Sequence, residues 1–268
     1  MLSANSAPEY VFCQKMATLA LMSKEKNTLI YGRHPVLDAI QAGQTMDKLI
    51  LQQGIRGPFE KEVRQISKQY KIPVQVVPKE RMNKITRGNH QGIIGFLALI
   101  DYHRLGDILP MVYEQSEVPL LLLLDGVTDV RNLGAIARSA ACFGVHAIVV
   151  PRKGSAMINA EAIKTSAGAL TKIPVCREDS LLAAAEMLQL SGVQLFASSL
   201  RANQKMYDLD FGGPTALVMG SEDRGVNSNL LKLADQTFII PQRSTVDSFN
   251  VSVAAGIMLY EVSRQRGI

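Results

Sequence analysis

No tryptophan occurs in the 268 residues, and there are only three cysteines and four histidines. Cys13, Cys142 and Cys176 are an odd number at no metal-ligand spacing, so neither a disulfide framework nor a zinc site is supported, and no metal is expected. No apolar run approaches the ~20 residues that cross a bilayer. Neither G-x-G-x-x-G nor a GK[ST] loop is present, which removes the usual support for a dinucleotide or nucleoside triphosphate site. Arginine is absent before Arg33, against a mitochondrial transit segment, and the apolar cluster at 16–22 is too short for a secretion signal. Residues 1–26 read as a disordered tail. The expected location is a reducing cytoplasm, with no membrane contact.

What is present is an ordinary globular composition, 47% hydrophobic and 20% charged, long enough for two domains. The net charge of +5 is uneven: residues 1–118 carry 15 Lys+Arg against 11 Asp+Glu, leaving 14 against 13 for residues 119–268 out of totals of 29 and 24. The more basic first part suits a module that holds an anionic polymer.

Residues 27–101 alternate short strands (TLIY, DKLILQ, VQVV, and a buried strand over 92–100) with helices over 34–42, 58–70 and 79–85. They form a small α/β unit. Within it Lys79, Arg81, Lys84 and Arg87, with His90, surround a single Glu80 and run into the loop RGNHQG. A solvated helix face and a phosphate-contacting edge are both compatible with that patch. Residues 102–118 read as a linker containing a short helix around 105–113, because Pro110 and Pro119 discourage continuous structure.

From 119 onward the rhythm becomes strand and helix in alternation, which predicts a parallel sheet covered on both faces. Five leucines at 120–124 read as a buried strand, and a helix follows from Asn132. Further helices are expected over 160–170, 181–190, 227–234 and 249–264. Three polar loops follow strands: DGVTDVRN at 125–132, GSEDRG at 220–225 and PQRSTVDSFN at 241–250. Strand ends of that kind are where open α/β sheets place ligands.

NLGAIARSA at 132–140, KTSAGAL at 164–170, LVMGSEDRGV at 217–226 and IIPQRSTVDSFNVSVAAGIMLYE at 239–261 resemble, in order and spacing, the motifs of the SpoU/TrmH family of RNA ribose 2′-O-methyltransferases, in the SPOUT superfamily. LIYGRHPVLDAI and NHQGIIG in the preceding segment resemble the substrate-binding domain of members that methylate a guanosine of 23S rRNA. The resemblance implies an α/β protein whose SPOUT domain, residues 119–268, has a parallel sheet and a deep trefoil knot, preceded by a small α/β RNA-binding domain. It implies S-adenosylmethionine as cofactor, held around Gly220, Ile240 and Phe249, and a homodimer acting on RNA. Phe249 and Ser221 depart from the leucine and asparagine most relatives carry there. Lys79, Arg81, Lys84 and Arg87 become candidate RNA contacts.

By the same resemblance Arg138, Asn132, Glu222, Ser248 and Asn250 occupy catalytic positions. An arginine on an otherwise apolar helix calls for a partner, and its guanidinium fits a phosphate clamp or a stabiliser of a developing alkoxide better than a base. Asn132, Ser248 and Asn250 are also ordinary helix-capping residues, and Glu222 is also an ordinary turn residue. Lys164 and Ser166 read as structural or RNA-positioning. The implied reaction is methylation of a guanosine ribose 2′-hydroxyl in 23S rRNA. The alternatives are tRNA ribose methylation, a non-catalytic RNA-binding ribosome-assembly factor and, more remotely, a small-molecule Rossmann enzyme.

Overall fold

The computed structural model describes residues 29–243 and 248–267, so the tail expected over 1–26 lies outside the described residues. The chain divides into two units between Leu99 and Ile100.

The first unit is a four-stranded sheet in the order β1-β4-β2-β3, formed by β1 (Leu29–Tyr31), β2 (Met46–Gln52), β3 (Val74–Val77) and β4 (Ile93–Leu97). β2 runs parallel to β3 and antiparallel to β4. Helices α1 (Arg33–Gln41), α2 (Pro58–Gln69) and α3 (Lys79–Ile85) connect them. Leu49, Leu51 and Ile93 meet Val36, Ile40 and Val63 on one face of the sheet, while Ile50, Val77, Ile94 and Met82 form a smaller cluster. Strand alternation separates the two sets. α3 is therefore anchored through Met82, which leaves its charged residues to solvent.

The second unit is a seven-stranded sheet in the order β11-β9-β10-β6-β7-β8-β5, every neighbouring pair parallel. Its strands are β5 (Tyr102–His103), β6 (Leu120–Asp125), β7 (Ala147–Pro151), β8 (Val175–Glu178), β9 (Gln194–Ser198), β10 (Thr215–Gly220) and β11 (Gln236–Phe238). The five leucines of β6 are all buried because the strand lies at the sheet's centre with side chains on both faces. Leu121 and Leu123 join the cluster covered by α4 (Leu105–Glu114) and α7 (Leu181–Leu190). Leu122 and Leu124, by alternation, point to the opposite face. Each such leucine contributes about 1.5–3 kcal/mol on burial.

Three expectations change. Residues 102–118 are no free linker: β5 pairs with β8, and Leu105, Ile108, Leu109 and Val112 place an apolar stripe at helical spacing into the core of the second unit. That burial carries α4 through Pro110, whose ring faces the carbonyl of a glycine, Gly106, one turn earlier. The single helix expected over 160–170 is α6 (Ala160–Thr165) followed by a separate 3-10 turn at Ala169–Thr171, because Ala167 and Gly168 take φ of +51° and +83°. The helix after β6, α5 (Val130–Cys142), begins two residues before Asn132. Asp129 caps it, Oδ1 accepting from the backbone N–H groups of Arg131 at 2.7 Å and Asn132 at 3.0 Å. Those two bonds hold the Asp129 carboxyl below the usual carboxylate range.

α5 packs on α6 and on α9 (Val251–Arg266). Its contact with α6 requires Gly134, where a Cβ would stand 2.7 Å from the Thr165 Cβ and 2.8 Å from the Ala162 carbonyl oxygen. Ser166 is buried in the same junction, donating to the Ile163 carbonyl and accepting from the Leu170 N–H, a structural role. The first and second motifs thus meet as a helix–helix contact. α8 (Ser228–Leu233) completes the layer beside α7.

Candidate active site at the carboxyl ends of β6 and β10

β6 and β10 pair in register through Gly220 opposite Asp125, so the first two polar loops leave neighbouring strands at the same level. Asp125 Oδ2 accepts from the Asn227 N–H at 2.7 Å, tying the far side of the GSEDRG turn to the end of the neighbouring strand β6. Inside that turn the Gly225 N–H reaches the Ser221 carbonyl at 2.9 Å. Gly220 must be glycine, since a Cβ would sit 1.9 Å from the Gly225 carbonyl carbon. The closed turn presents Glu222.

Because Asp129 caps α5, the Asn132 side chain is released from capping and points its amide to other loops. Asn250, which begins α9, does both jobs. Its Oδ1 accepts from the Ser252 N–H at 3.0 Å and the Ser252 hydroxyl at 2.6 Å, which fixes the amide orientation and leaves Nδ2 as the outward donor. Nδ2 then donates to Glu222 Oε1 at 2.6 Å and to Asn132 Oδ1 at 3.1 Å. Glu222 Oε1 also accepts from Asn132 Nδ2 at 3.3 Å and from the Val251 N–H at 3.1 Å. Three residues from three motifs, up to 118 positions apart, close a polar triangle at the amino end of a 16-residue helix. A carboxylate is favoured at such a helix end.

Glu222 is exposed, and its Oε2 makes no hydrogen bond among the described residues. Ile240 follows β11 and is half-buried, while Phe249, 37% exposed, directly precedes Asn250. Ser248 is exposed and makes no hydrogen bond among the described residues.

Arg138 differs from expectation. It is exposed and finds no hydrogen-bond or ion-pair partner among the described residues, so the structure does not bring it to the triangle. Helical spacing gives the reason: Arg138 lies two turns from Arg131, on its exposed stripe, whereas Asn132 shares its stripe with Ser139. Arg131 pairs with Glu161 at 2.8 Å. Lys164 is exposed.

In the first unit Lys79, Arg81, Lys84 and Arg87 are all exposed and without a hydrogen bond or ion pair among the described residues. His90 is structural: buried, it accepts from the Gly92 N–H at Nδ1 (3.0 Å), so its Nε2 carries the proton and donates to Asn83 Oδ1 at 3.0 Å. No group of three or more metal-ligating side chains occurs among the described residues, and no described helix is long and apolar enough to cross a membrane.

Sequence alone does not single out Asp125 or Asp129. The one sign was position, an aspartate ending a strand and another three residues before Asn132, a spacing that fits a cap.

A model of the SpoU rRNA methylase family matches residues 119–260, and a model of the RNA 2′-O ribose methyltransferase substrate-binding domain matches residues 29–102. The chain belongs to the SpoU/TrmH family. A putative TrmH family tRNA/rRNA methyltransferase of Bacillus subtilis is 30% identical, over 90% of this chain and 97% of its own length. An uncharacterized tRNA/rRNA methyltransferase of Synechocystis is 35% identical over 91% of this chain, which spans 64% of that longer relative. Among solved structures, an AdoMet-bound rRNA methyltransferase from Sinorhizobium meliloti is 25% identical and matches with a TM-score of 0.56 over 97% of both chains. The SpoU/TrmH assignment makes this a tRNA/rRNA-type methyltransferase, with the sheet-end triangle inside the matched methylase domain and the basic helix α3 inside the matched substrate-binding domain.

Proposed function

We propose that this protein transfers a methyl group from S-adenosylmethionine to the ribose 2′-hydroxyl of a guanosine in 23S rRNA. The observation that carries the reading is the Asn132–Glu222–Asn250 triangle, which joins three family motifs at one edge of the sheet. A non-catalytic RNA-binding factor would have no need to keep that set intact. The substrate-binding domain favours rRNA over tRNA; methylation of tRNA by the same residues is the second reading, in line with relatives named for both.

The residues present fit the cofactor. Glu222 and Asp125 supply negative charge that suits a sulfonium, and the tight turn at Gly220 offers backbone groups rather than bulky side chains. Gly220, Ile240 and Phe249 would hold it, chiefly through backbone. When bound, it supplies an electrophilic methyl group for in-line displacement. The protein's own residues then align the ribose oxygen and exclude water. Glu222 is fixed through Oε1, which leaves Oε2 for substrate, and Ser248 adds a hydroxyl that has no hydrogen-bond partner among the described residues. A guanidinium donates hydrogen bonds and accepts none, so Arg138 clamps the target phosphate or stabilises the developing alkoxide and is not the base.

The homodimer belongs to this proposal. Val253 and Tyr260 on α9 are 51% and 59% exposed, and with Ile257 they form an apolar stripe starting one residue after Ser252. The trefoil knot is likewise part of the proposal, as residues 244–247 lie outside the described set.

The test supplies methyl-labelled S-adenosylmethionine with 23S rRNA, tRNA or DNA of matching sequence. Label is expected in 23S rRNA, at a guanosine ribose, with DNA inert because it lacks the 2′-hydroxyl. Label in tRNA alone would select the second reading, and label in no RNA would overturn both.

A further inference from the structure

The first unit contains a cavity of about 690 Å³, in the range of about 300–1,000 Å³ usual for ligand sites. Arg33 and His34 at the start of α1, Lys79 and Asn83 on α3, Gln52 at the end of β2, Ile55 just after it, and the loop 88–92 line it. No carboxylate does. Every polar acceptor on two of its amides is already engaged from within: Asn83 Oδ1 by His90 Nε2 at 3.0 Å, and Gln91 Oε1 by the Arg33 N–H at 3.0 Å. Both amides are thereby pinned with their NH2 groups as the unengaged ends.

The loop that sets this arrangement is held tightly. Gln91 takes φ +49°, outside the range a side-chain-bearing residue prefers, and its carbonyl accepts from Arg33 Nε at 3.4 Å. The Arg33 guanidinium lies 4.3 Å from the Phe59 ring centroid. At Gly92 a Cβ would stand 2.1 Å from Ile55 Cδ1, so backbone closes over an apolar floor. The cavity offers the cationic side chains of Arg33 and Lys79, two fixed amide donors, His34 and the apolar side chain of Ile55. Its complement is a ligand with negative charge, hydrogen-bond acceptors on a flat edge and an apolar face.

We propose that this cavity takes one unpaired nucleotide of the RNA substrate, Arg33 and Lys79 meeting its phosphate while the Asn83 and Gln91 amides read acceptors on its base. The choice of RNA as the source rests on the proposed function. Lys79, on the cavity wall, also belongs to the same short basic segment as the exposed Arg81, Lys84 and Arg87. Sequence-specific recognition of RNA targets bases freed from pairing, whose edges are open. The cavity is thus a specificity element and takes no part in methyl transfer.

The experiment uses the full chain and fluorescence anisotropy with three probes: a labelled RNA hairpin with an unpaired loop, a blunt RNA duplex of equal length, and free GMP as competitor. Asn83→Asp and Gln91→Glu each keep the oxygen that accepts from His90 or Arg33 and replace the free NH2 by oxygen. Gln69→Glu, on the exposed face of α2, makes the same charge change outside the cavity. Hairpin binding is expected to weaken by at least about tenfold in the two cavity variants, with duplex binding and Gln69→Glu near wild type. Equal loss in Gln69→Glu, unchanged hairpin affinity, or GMP competing as strongly as the hairpin would overturn the assignment. Should a cavity variant fail to melt like wild type, Asn89→Asp, at an exposed lining residue whose side chain has no hydrogen-bond partner among the described residues, replaces it under the same criteria. Methyl transfer to 23S rRNA by the wild type, measured alongside, separates the two claims: transfer with cavity variants that bind normally sinks only the cavity, whereas hairpin loss without transfer in the wild type sinks only the enzymatic reading.

Discussion

In the second unit Asn132, Glu222 and Asn250 direct their hydrogen-bonding groups at one another, while in the first unit Lys79, Arg81, Lys84 and Arg87 make no hydrogen bond or ion pair among the described residues. The contrast separates two kinds of site. A group that must present one geometry to a reacting atom is fixed before substrate arrives, and donors held in advance lose nothing to reorganisation. A surface that follows a phosphate backbone has no such need, because its attraction is long-ranged and tolerant of position. The cavity of the first unit stands between them, with one end of each amide fixed and the other open.

The largest expected effect breaks the triangle. Glu222→Ala removes the acceptor of three hydrogen bonds and is expected to lower the methyl-transfer rate by about 10²–10³-fold, in the range for loss of a preorganised polar group. Glu222→Gln, which can still accept, should fall less. A single-turnover assay with labelled cofactor distinguishes them, and equal rates would dissolve the contrast. Leu122→Ala, at the centre of the sheet, is expected to cost about 2–5 kcal/mol in urea unfolding, with RNA affinity per folded molecule unchanged. Replacing Arg81, Lys84 and Arg87 together by Ala should weaken binding to all RNA alike. The slope of log K against log salt should shrink by about 2–3, and a loss confined to one RNA would show that these cations are not a simple phosphate track.

The smallest effect concerns the Asp129 cap. Its carboxyl is held low by the Asn132 and Arg131 N–H groups, so the stability it contributes is present above the ordinary aspartate pKa of about 3.9 and is lost as pH falls through the lower folded-state value. Asp129→Asn keeps a cap without charge. The small difference in Tm between it and wild type should therefore vanish on strong acidification, and persistence there would remove the carboxylate from the account.

Much of the second unit was legible because its signals are local. Five leucines in a row admit little but a buried strand, and GSEDRG after a strand marks a turn at a sheet end. What was not legible depends on partners distant in sequence. The short helix around 105–113 was expected, but with Pro110 and Pro119 beside it the segment read as a linker, and only the fit of Leu105, Ile108, Leu109 and Val112 into the core shows it to be part of the second unit. Asn132 read equally as a cap; three-dimensional structure shows Asp129 in that role and so frees Asn132 for Glu222. For Arg138 the expectation of a partner came from its apolar helix, yet within one chain that helix leaves the arginine on its open stripe. The amides of Asn83 and Gln91 carry no sequence signal at all, since their orientation is set by His90 and by the Arg33 backbone.

At the other end of α9 from Asn250, the Arg266 guanidinium gathers four backbone carbonyls, those of Val118, Pro119, Phe211 and Gly213, at 2.7–3.1 Å. Pro119 immediately precedes β6, and Gly213 lies two residues before β10. Ribosomes make protein from the amino end, so both central strands are synthesised long before the side chain that fastens their approaches together. Until Arg266 emerges, the helix carrying Asn250 has no latch at its far end, and the half-made polypeptide holds a sheet whose carboxyl-end loops are not yet joined through Asn250.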